Sequence, residues 1–378
     1  MGQVMEITAA VLARSGDNPQ PYARHAPLEL RALRLDPPRP GELLVRIDAA
    51  GLCHSDLSVV NGDRPRPMPM AIGHEATGIV EALGSPDDGG FAIGDRVILA
   101  FLPSCGECVR CRAGEPYMCA PGAAANGAGR MLRGGYRLHD ACGDVHHHLG
   151  VSAFATHAVV DRRSAVKVAA DIPPHIAALF GCAVLTGAGA VMNSANLRPG
   201  ETVAIFGLGG VGLSALLAAR AAGAATIVAI DPSAEKRRIA QGLDAHAVAP
   251  EDAAGQFPTL FPDGGPDVVI ETVGKAAVLA QAFALARRGG RIVTVGLPNP
   301  AERFDIAALA LVSEGKSLIG SYMGSAVPSR DIPRYIALWR AGRLPVECLL
   351  TSISPLHEIN GLLDNLANGN AIRQIVVP

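Results

Sequence analysis

The chain has 378 residues, 49% of them hydrophobic, and its 33 basic and 35 acidic side chains give a formal net charge of −2. That length exceeds what one hydrophobic core usually supports, so two domains are expected. No apolar run reaches the twenty or so residues of a membrane-spanning helix, and Lys and Arg are scattered rather than gathered into a stripe, so neither a membrane nor nucleic acid is expected as a partner.

The first residues, MGQVMEITAAVLARSGD, lack a secretory signal, and a cytoplasmic location is expected. From about Leu28 to Val97, short alternating apolar runs such as ELLVRIDAAG and GIVEALG are cut by Pro and Gly, a pattern of short strands and turns. From Glu201 the texture changes. TVAIFGLG, GLSALLAARAAG, TIVAID and SAEKRRIAQGLD alternate strand with helix, and PDVVIETVG, AAVLAQAFALARRGG and RIVTVGL continue the series, which predicts an open parallel sheet covered by helices. Ser317 to Gly320 is read as one more strand of it. After Tyr322 come a helix, DIPRYIALWRAGRL, and a closing strand, IRQIVVP, expected to rejoin the first domain. The predicted division is therefore 1–182 with 324–378 as one domain and 183–323 as the other.

Gly207, Gly209 and Gly212 form G-x-G-x-x-G, with Gly210 and Val211 inside it, between a strand and an apolar helix. Such glycines permit a tight turn and close approach of backbone to a pyrophosphate, while the helix N-terminus offers free N–H groups to the anion. The next strand ends in Asp231, whose carboxylate can accept both adenosine ribose hydroxyls and would repel a 2′-phosphate, which favours NAD over NADP. A turn and a helix cap would be the blander reading of the same residues.

The eight cysteines are unevenly placed. Cys105, Cys108, Cys111 and Cys119 give C-x2-C-x2-C-x7-C, a set that can close tetrahedrally around zinc with no open position, hence a structural site. An iron–sulfur cluster is the alternative for such a run. Cys53 in GLCHSD, His74 in GHEATG and Cys182 in GCAVLTG would make a Cys2His set that leaves zinc a fourth position for substrate. No short spacing joins them, and each could equally be an ordinary buried residue. His146, His147 and His148 are adjacent in an extended segment, where neighbours point in opposite directions, so no joint metal site is expected.

These motifs, with the terminal AIRQIVVP, closely resemble the medium-chain zinc-dependent alcohol dehydrogenase family across almost the whole chain. The segment between Cys119 and His157, containing HHHLGVSAF, resembles the dimeric animal and class III branch. The resemblance implies an α/β protein in which a doubly wound Rossmann sheet is inserted into a β-rich, GroES-like catalytic domain. It implies NAD, two zinc ions per chain, a homodimer, and hydride transfer between NAD and a primary alcohol, aromatic or medium-chain included.

By that resemblance Cys53, His74 and Cys182 bind the catalytic zinc, Glu75 lies behind it, Asp56 orients His74, and Ser55 receives the alcohol proton. A turn or helix-cap role is the alternative for Ser55. His54 and Arg373 would lie near the pyrophosphate, Lys236 near the adenosine ribose, Thr186 beside the nicotinamide, and Phe101, His148, Leu149 and Leu297 around the substrate. Two departures stand out: Ser58 replaces the histidine that ends the proton relay in many relatives, and no basic anchor for a glutathione carboxylate is evident. The rivals are the class III oxidation of S-(hydroxymethyl)glutathione and a non-catalytic NAD-binding zinc protein.

Overall fold

A computed structural model describes residues 3–86 and 89–378. The chain divides into two compact units, one of Met1–Cys182, Val327–Pro333 and Leu350–Pro378, the other of Ala183–Ala326 and Arg334–Leu349.

In the first unit, strands Met5–Leu12, Leu28–Leu35, Leu138–Asp140, Gly143–His147 and Met70–Ala71 close into a barrel. A second sheet runs Ala165–Val168, Arg96–Leu99, Ala76–Leu83, Glu42–Leu52, Arg373–Val377, Leu350–Pro355, with His157–Asp161 also paired to Glu42–Leu52. The alternation read in ELLVRIDAAG is the period-2 rule at work: Leu43, Val45 and Ile47 turn into the core, where they meet Val80, Val97 and Phe154, while Arg46 faces solvent. Register then decides what meets at the strand ends. Ala50 pairs with Ala76 and Leu52 with Gln374, so Cys53, the His74–Glu75 pair and Arg373 converge from three distant stretches of chain.

In the second unit, six parallel strands lie in the order His246–Val248, Thr226–Ile230, Thr202–Phe206, Val268–Glu271, Arg291–Thr294, Ser317–Gly320. That is the doubly wound order with its switch point beside Thr202–Phe206, where ligands of such sheets bind. Val203, Ala204 and Ile205 are fully buried, as expected of a strand covered on both faces. The switch-point strand turns at Gly207, whose φ of +89° is the left-handed region. A Cβ on Gly212 would strike the Gly207 carbonyl oxygen, so helix Gly210–Ala221 can start this close to the strand only with glycine there.

The tail departs from expectation. Residues 324–326 and 334–349 belong with the second unit, and only 327–333 and 350–378 with the first. Packing accounts for this: the Gly324 backbone lies against Gly189, Asn193 Nδ2 is 3.5 Å from the Tyr335 hydroxyl, and the Arg343 guanidinium donates to the Ala221 carbonyl. No helix among the described residues is long and apolar enough to cross a membrane.

Candidate active site and metal centres

Cys53 follows strand Glu42–Leu52 and caps helix His54–Val60, His74 and Glu75 precede strand Ala76–Leu83, and Cys182 precedes helix Ala183–Gly189. One ligating atom from each of the four lies within 4.8 Å of the others, and all four residues are buried. His74 Nδ1 is 2.9 Å from Asp56 Oδ1. With Asp56 ionised, Nδ1 keeps its proton and donates it, so Nε2 is the nitrogen left to bind a metal ion, its own proton displaced on binding. That Nε2 is buried and has no hydrogen-bond partner. Asp56 Oδ2 accepts the Cys53 N–H at 3.0 Å, so one carboxylate sets both a thiol-bearing backbone and the imidazole.

The electrostatics fit an absent cation. A hydrogen bond from Cys182 holds the Cys53 thiol well below the usual thiol range, and Cys53 in turn drives Cys182 well above it. Burial opposes a charged His74, but Asp56 and Cys53 outweigh it and raise its pKa well above the ordinary 6.5. Burial pushes Glu75 up to about 7 despite Arg373. Both Glu75 oxygens lack hydrogen-bond donors, with Arg373 Nη2 at 3.6 Å. A divalent ion at the free Nε2 would satisfy these groups together, and two thiolates with an imidazole are a zinc donor set.

The four-cysteine loop also closes. The sulfurs of Cys105, Cys108, Cys111 and Cys119 lie within 4.8 Å of one another, and Cys105 and Cys111 are 4.0 Å apart. A tetrahedron with zinc–sulfur bonds of about 2.3 Å has edges of about 3.8 Å. Amides already point at two of the sulfurs: Glu107 and Cys108 N–H at Cys105 Sγ (3.4 and 3.3 Å), Cys105 and Gly122 N–H at Cys119 Sγ (3.2 and 3.4 Å). The Cys111 backbone amide lowers Cys108 to about 6, a thiolate at neutral pH.

In the second unit the Asp231 carboxylate is 6% exposed and grips the glycine turn itself, accepting from Leu208 N–H (2.7 Å) and Ser233 N–H (2.8 Å). Lys236 is only half-buried, and its backbone N–H caps onto Ser233 Oγ at 3.4 Å. Two features here were not read from the sequence. Arg237 Nη1 curls back to the Asp231 and Pro232 carbonyls (2.7 and 2.8 Å). Glu271, buried at the end of its strand, accepts from Val273 and Gly274 N–H (2.6 and 2.7 Å) and from Thr294 Oγ1 (2.8 Å), while Thr272 Oγ1 donates to the carbonyls of Phe206 and Gly207. An acid closing a buried strand ahead of Thr-Val-Gly was the available signal.

The remaining predicted residues fall as follows. Ser55 is the second residue of its helix, not its cap, which is Cys53. Ser58 Oγ donates to the His54 carbonyl at 2.8 Å, and His54 is exposed. Arg373, expected beside a pyrophosphate, is 2% exposed and donates to the Leu52 carbonyl at 3.1 Å, turned towards Glu75. Thr186 is buried with its hydroxyl unpartnered. Phe101 and His148 stand edge-on to His74, ring centroids 5.6 and 5.4 Å away, and His148 Nδ1 is 3.3 Å from Asp56 Oδ1. Leu149 is buried, whereas Leu297 is 49% exposed. The histidine triplet forms no joint site: His147 Nε2 accepts from Arg137 N–H at 3.0 Å, His146 packs on Tyr136, and His148 alone reaches His74.

Residues 39–170 match the alcohol dehydrogenase GroES-like domain and residues 210–340 the zinc-binding dehydrogenase domain. The chain is 38% identical to a geraniol dehydrogenase from Castellaniella defragrans over 93% of its own length and 94% of the relative's. It is 35% identical to an NDMA-dependent alcohol dehydrogenase from Amycolatopsis methanolica, with 99% of each covered. The chain belongs to the zinc-dependent alcohol dehydrogenase family. The crystal structure of a benzyl alcohol dehydrogenase from Acinetobacter calcoaceticus superposes with a TM-score of 0.91 at 32% identity, covering 99% of each chain. These alcohol dehydrogenases are bacterial, and they show the family without showing its animal or class III branch.

Proposed function

We propose that the protein is an NAD-dependent enzyme that reversibly oxidises primary alcohols, aromatic and allylic ones included, to aldehydes, with one catalytic zinc on Cys53, His74 and Cys182 and one structural zinc in the four-cysteine loop. The observation that carries this is the buried His74 Nε2, without a hydrogen-bond partner and gathered within 4.8 Å of the Cys53 and Cys182 sulfurs. When bound, zinc supplies the Lewis acidity that eases loss of the alcohol proton, and NAD takes the hydride.

The chain's own residues do the rest. Asp56 fixes the His74 tautomer. Glu75, held by Arg373 and free of donors, stands behind the ligand set as a spare carboxylate. Ser55 receives the alcohol proton, and because Ser58 is turned back onto its helix the proton leaves Ser55 for water or the cofactor ribose. Phe101, His148 and Leu149 line the alcohol. There the glycine turn and helix N-terminus take the pyrophosphate, Asp231 the ribose, and Thr186, with its free hydroxyl, the nicotinamide. Lys236 adds positive charge near the ribose. Leu309 and Val312, 77% and 80% exposed on helix Ala308–Ser313 just ahead of the edge strand Ser317–Gly320, support a homodimer through that edge. The names of the geraniol and benzyl alcohol relatives favour allylic and aromatic substrates.

The test is zinc per chain, then reduced-nicotinamide absorbance with NAD or NADP across benzylic, allylic and straight-chain alcohols, with and without glutathione and with an NDMA-coupled arm. Two zinc ions and glutathione-independent reduction of NAD support the proposal. Turnover only of formaldehyde with glutathione, or one zinc and no turnover, would overturn it.

A further inference from the structure

Asn126 is 4% exposed on helix Ala120–Gly127, which begins directly at Cys119. The helix is rooted in the four-cysteine loop because Cys119 Sγ accepts from both Cys105 and Gly122 N–H. It is also pressed against the chain leaving strand Arg96–Leu99, since a Cβ on Gly122 would collide with the Pro103 carbonyl oxygen. Two turns along, Asn126 Nδ2 donates to the Phe101 carbonyl at 2.9 Å. The opposite amide orientation would set two oxygens face to face, so Oδ1 points away from Phe101.

That Oδ1 is buried and has no donor. It faces the turn at Leu149–Gly150: a Cβ built on Gly150 would sit 3.5 Å from it and 3.3 Å from Pro103 Cγ. Leu149 and Gly150 both adopt left-handed backbone, φ +53° and +70°. The turn is pinned from its other side, where Ser152 Oγ accepts from His148 N–H and donates to the Ala71 carbonyl, each at 2.8 Å. Asn126 thus stands where two walls meet, one carrying Phe101 and the other His148 and Leu149, and both walls supply a ring edge-on to His74. Packing alone would favour leucine, which fills a similar volume without burying an unsatisfied oxygen.

We propose that Asn126 is a positioning residue for the substrate pocket, fixing the Phe101 wall and the Leu149–Gly150 turn beside His74 from a helix rooted in the four-cysteine loop. This rests on the reading of function above. Asn126 touches no reacting atom; it sets the gap between the walls, so its loss alters which alcohols fit more than how fast a well-placed one reacts.

The experiment compares the zinc-loaded full chain with Asn126→Leu and Asn126→Asp. Hydrogen exchange is followed at Val151 and Ser152, whose N–H groups donate to the His148 carbonyl. In parallel, KM and kcat are measured for benzyl alcohol and ethanol. The expected result is at least tenfold faster exchange at those amides, and at least a fivefold change in the ratio of the two kcat/KM values, carried by KM with kcat within twofold. A folded Asn126→Leu with both readouts within twofold of wild type overturns the proposal, as does an equal loss of kcat for both alcohols accompanied by loss of zinc. If the wild-type protein oxidises no alcohol, the functional reading fails, and the exchange result by itself then decides whether Asn126 holds the turn.

Discussion

Arg137 forks onto Glu42 with both side chains wholly buried, Nε to Oε2 at 2.8 Å and Nη2 to Oε1 at 2.6 Å. Arg137 also donates to the Tyr136 carbonyl, and Glu42 accepts the Arg39 N–H, so neither charge is left unsatisfied. Removing one partner strands the other in the core. Arg137→Met is expected to cost about 3 to 5 kcal/mol in denaturant unfolding, and pairing it with Glu42→Leu should recover much of the loss. A single variant within about 1 kcal/mol of wild type would show that the pair is dispensable.

Asp56 holds the imidazole tautomer that frees Nε2. Asp56→Asn keeps the shape but removes the charge that fixes the proton, and zinc affinity at the catalytic site should fall about 10- to 100-fold in chelator competition. The four-cysteine site serves as the internal control, since its zinc should be unaffected.

His147 lies next to Arg137, and burial first, then that guanidinium, lowers its pKa to about 3. The folded value is below the ordinary 6.5, so the unfolded chain takes up the proton first. The stabilisation is complete above about pH 6.5 and is lost as pH falls towards 3, on the order of 5 kcal/mol in all. His147→Gln should flatten this acid limb in melts recorded between pH 7 and pH 4; an unchanged limb would assign acid sensitivity elsewhere.

Asp231 both holds the Leu208 and Ser233 amides and, as proposed, faces the ribose. Asp231→Ala should raise KM for NAD about 10- to 100-fold, the loss of one charge-assisted hydrogen bond or two. Because the turn also loosens, the variant should not gain good use of NADP. Efficient NADP turnover would mean that charge repulsion was the only role of this carboxylate.

Much of this was legible in the sequence because local pattern and architecture agree. Strand, glycine turn, helix, strand and acid around Gly207 and Asp231 follow one another within thirty residues, and short-range chemistry is enough to read them. Cys53, His74 and Cys182 were open to an ordinary packing reading because what joins them is register: Ala50 opposite Ala76, not any spacing. His148 was assigned to the pocket from resemblance, but its approach to Asp56 needs the backbone path of 148–152. The tail was misassigned because the amphipathic helix Pro328–Arg340 reveals that one face is buried without revealing against which unit. Glu271 was hidden inside a run read only as a strand.

The strand Arg373–Val377 lies between Glu42–Leu52 and Leu350–Pro355, and it is synthesised after the whole of the second unit. A ribosome adding roughly 5 to 20 residues per second therefore exposes the second unit in full before the first can seal its central sheet. The nascent first unit waits with an open edge at Leu52, next to its unliganded thiols, for roughly 10 to 40 seconds. Expression yield should accordingly depend on whatever guards that edge during synthesis, and a stop codon placed before Arg373 should be more damaging than its few missing residues suggest.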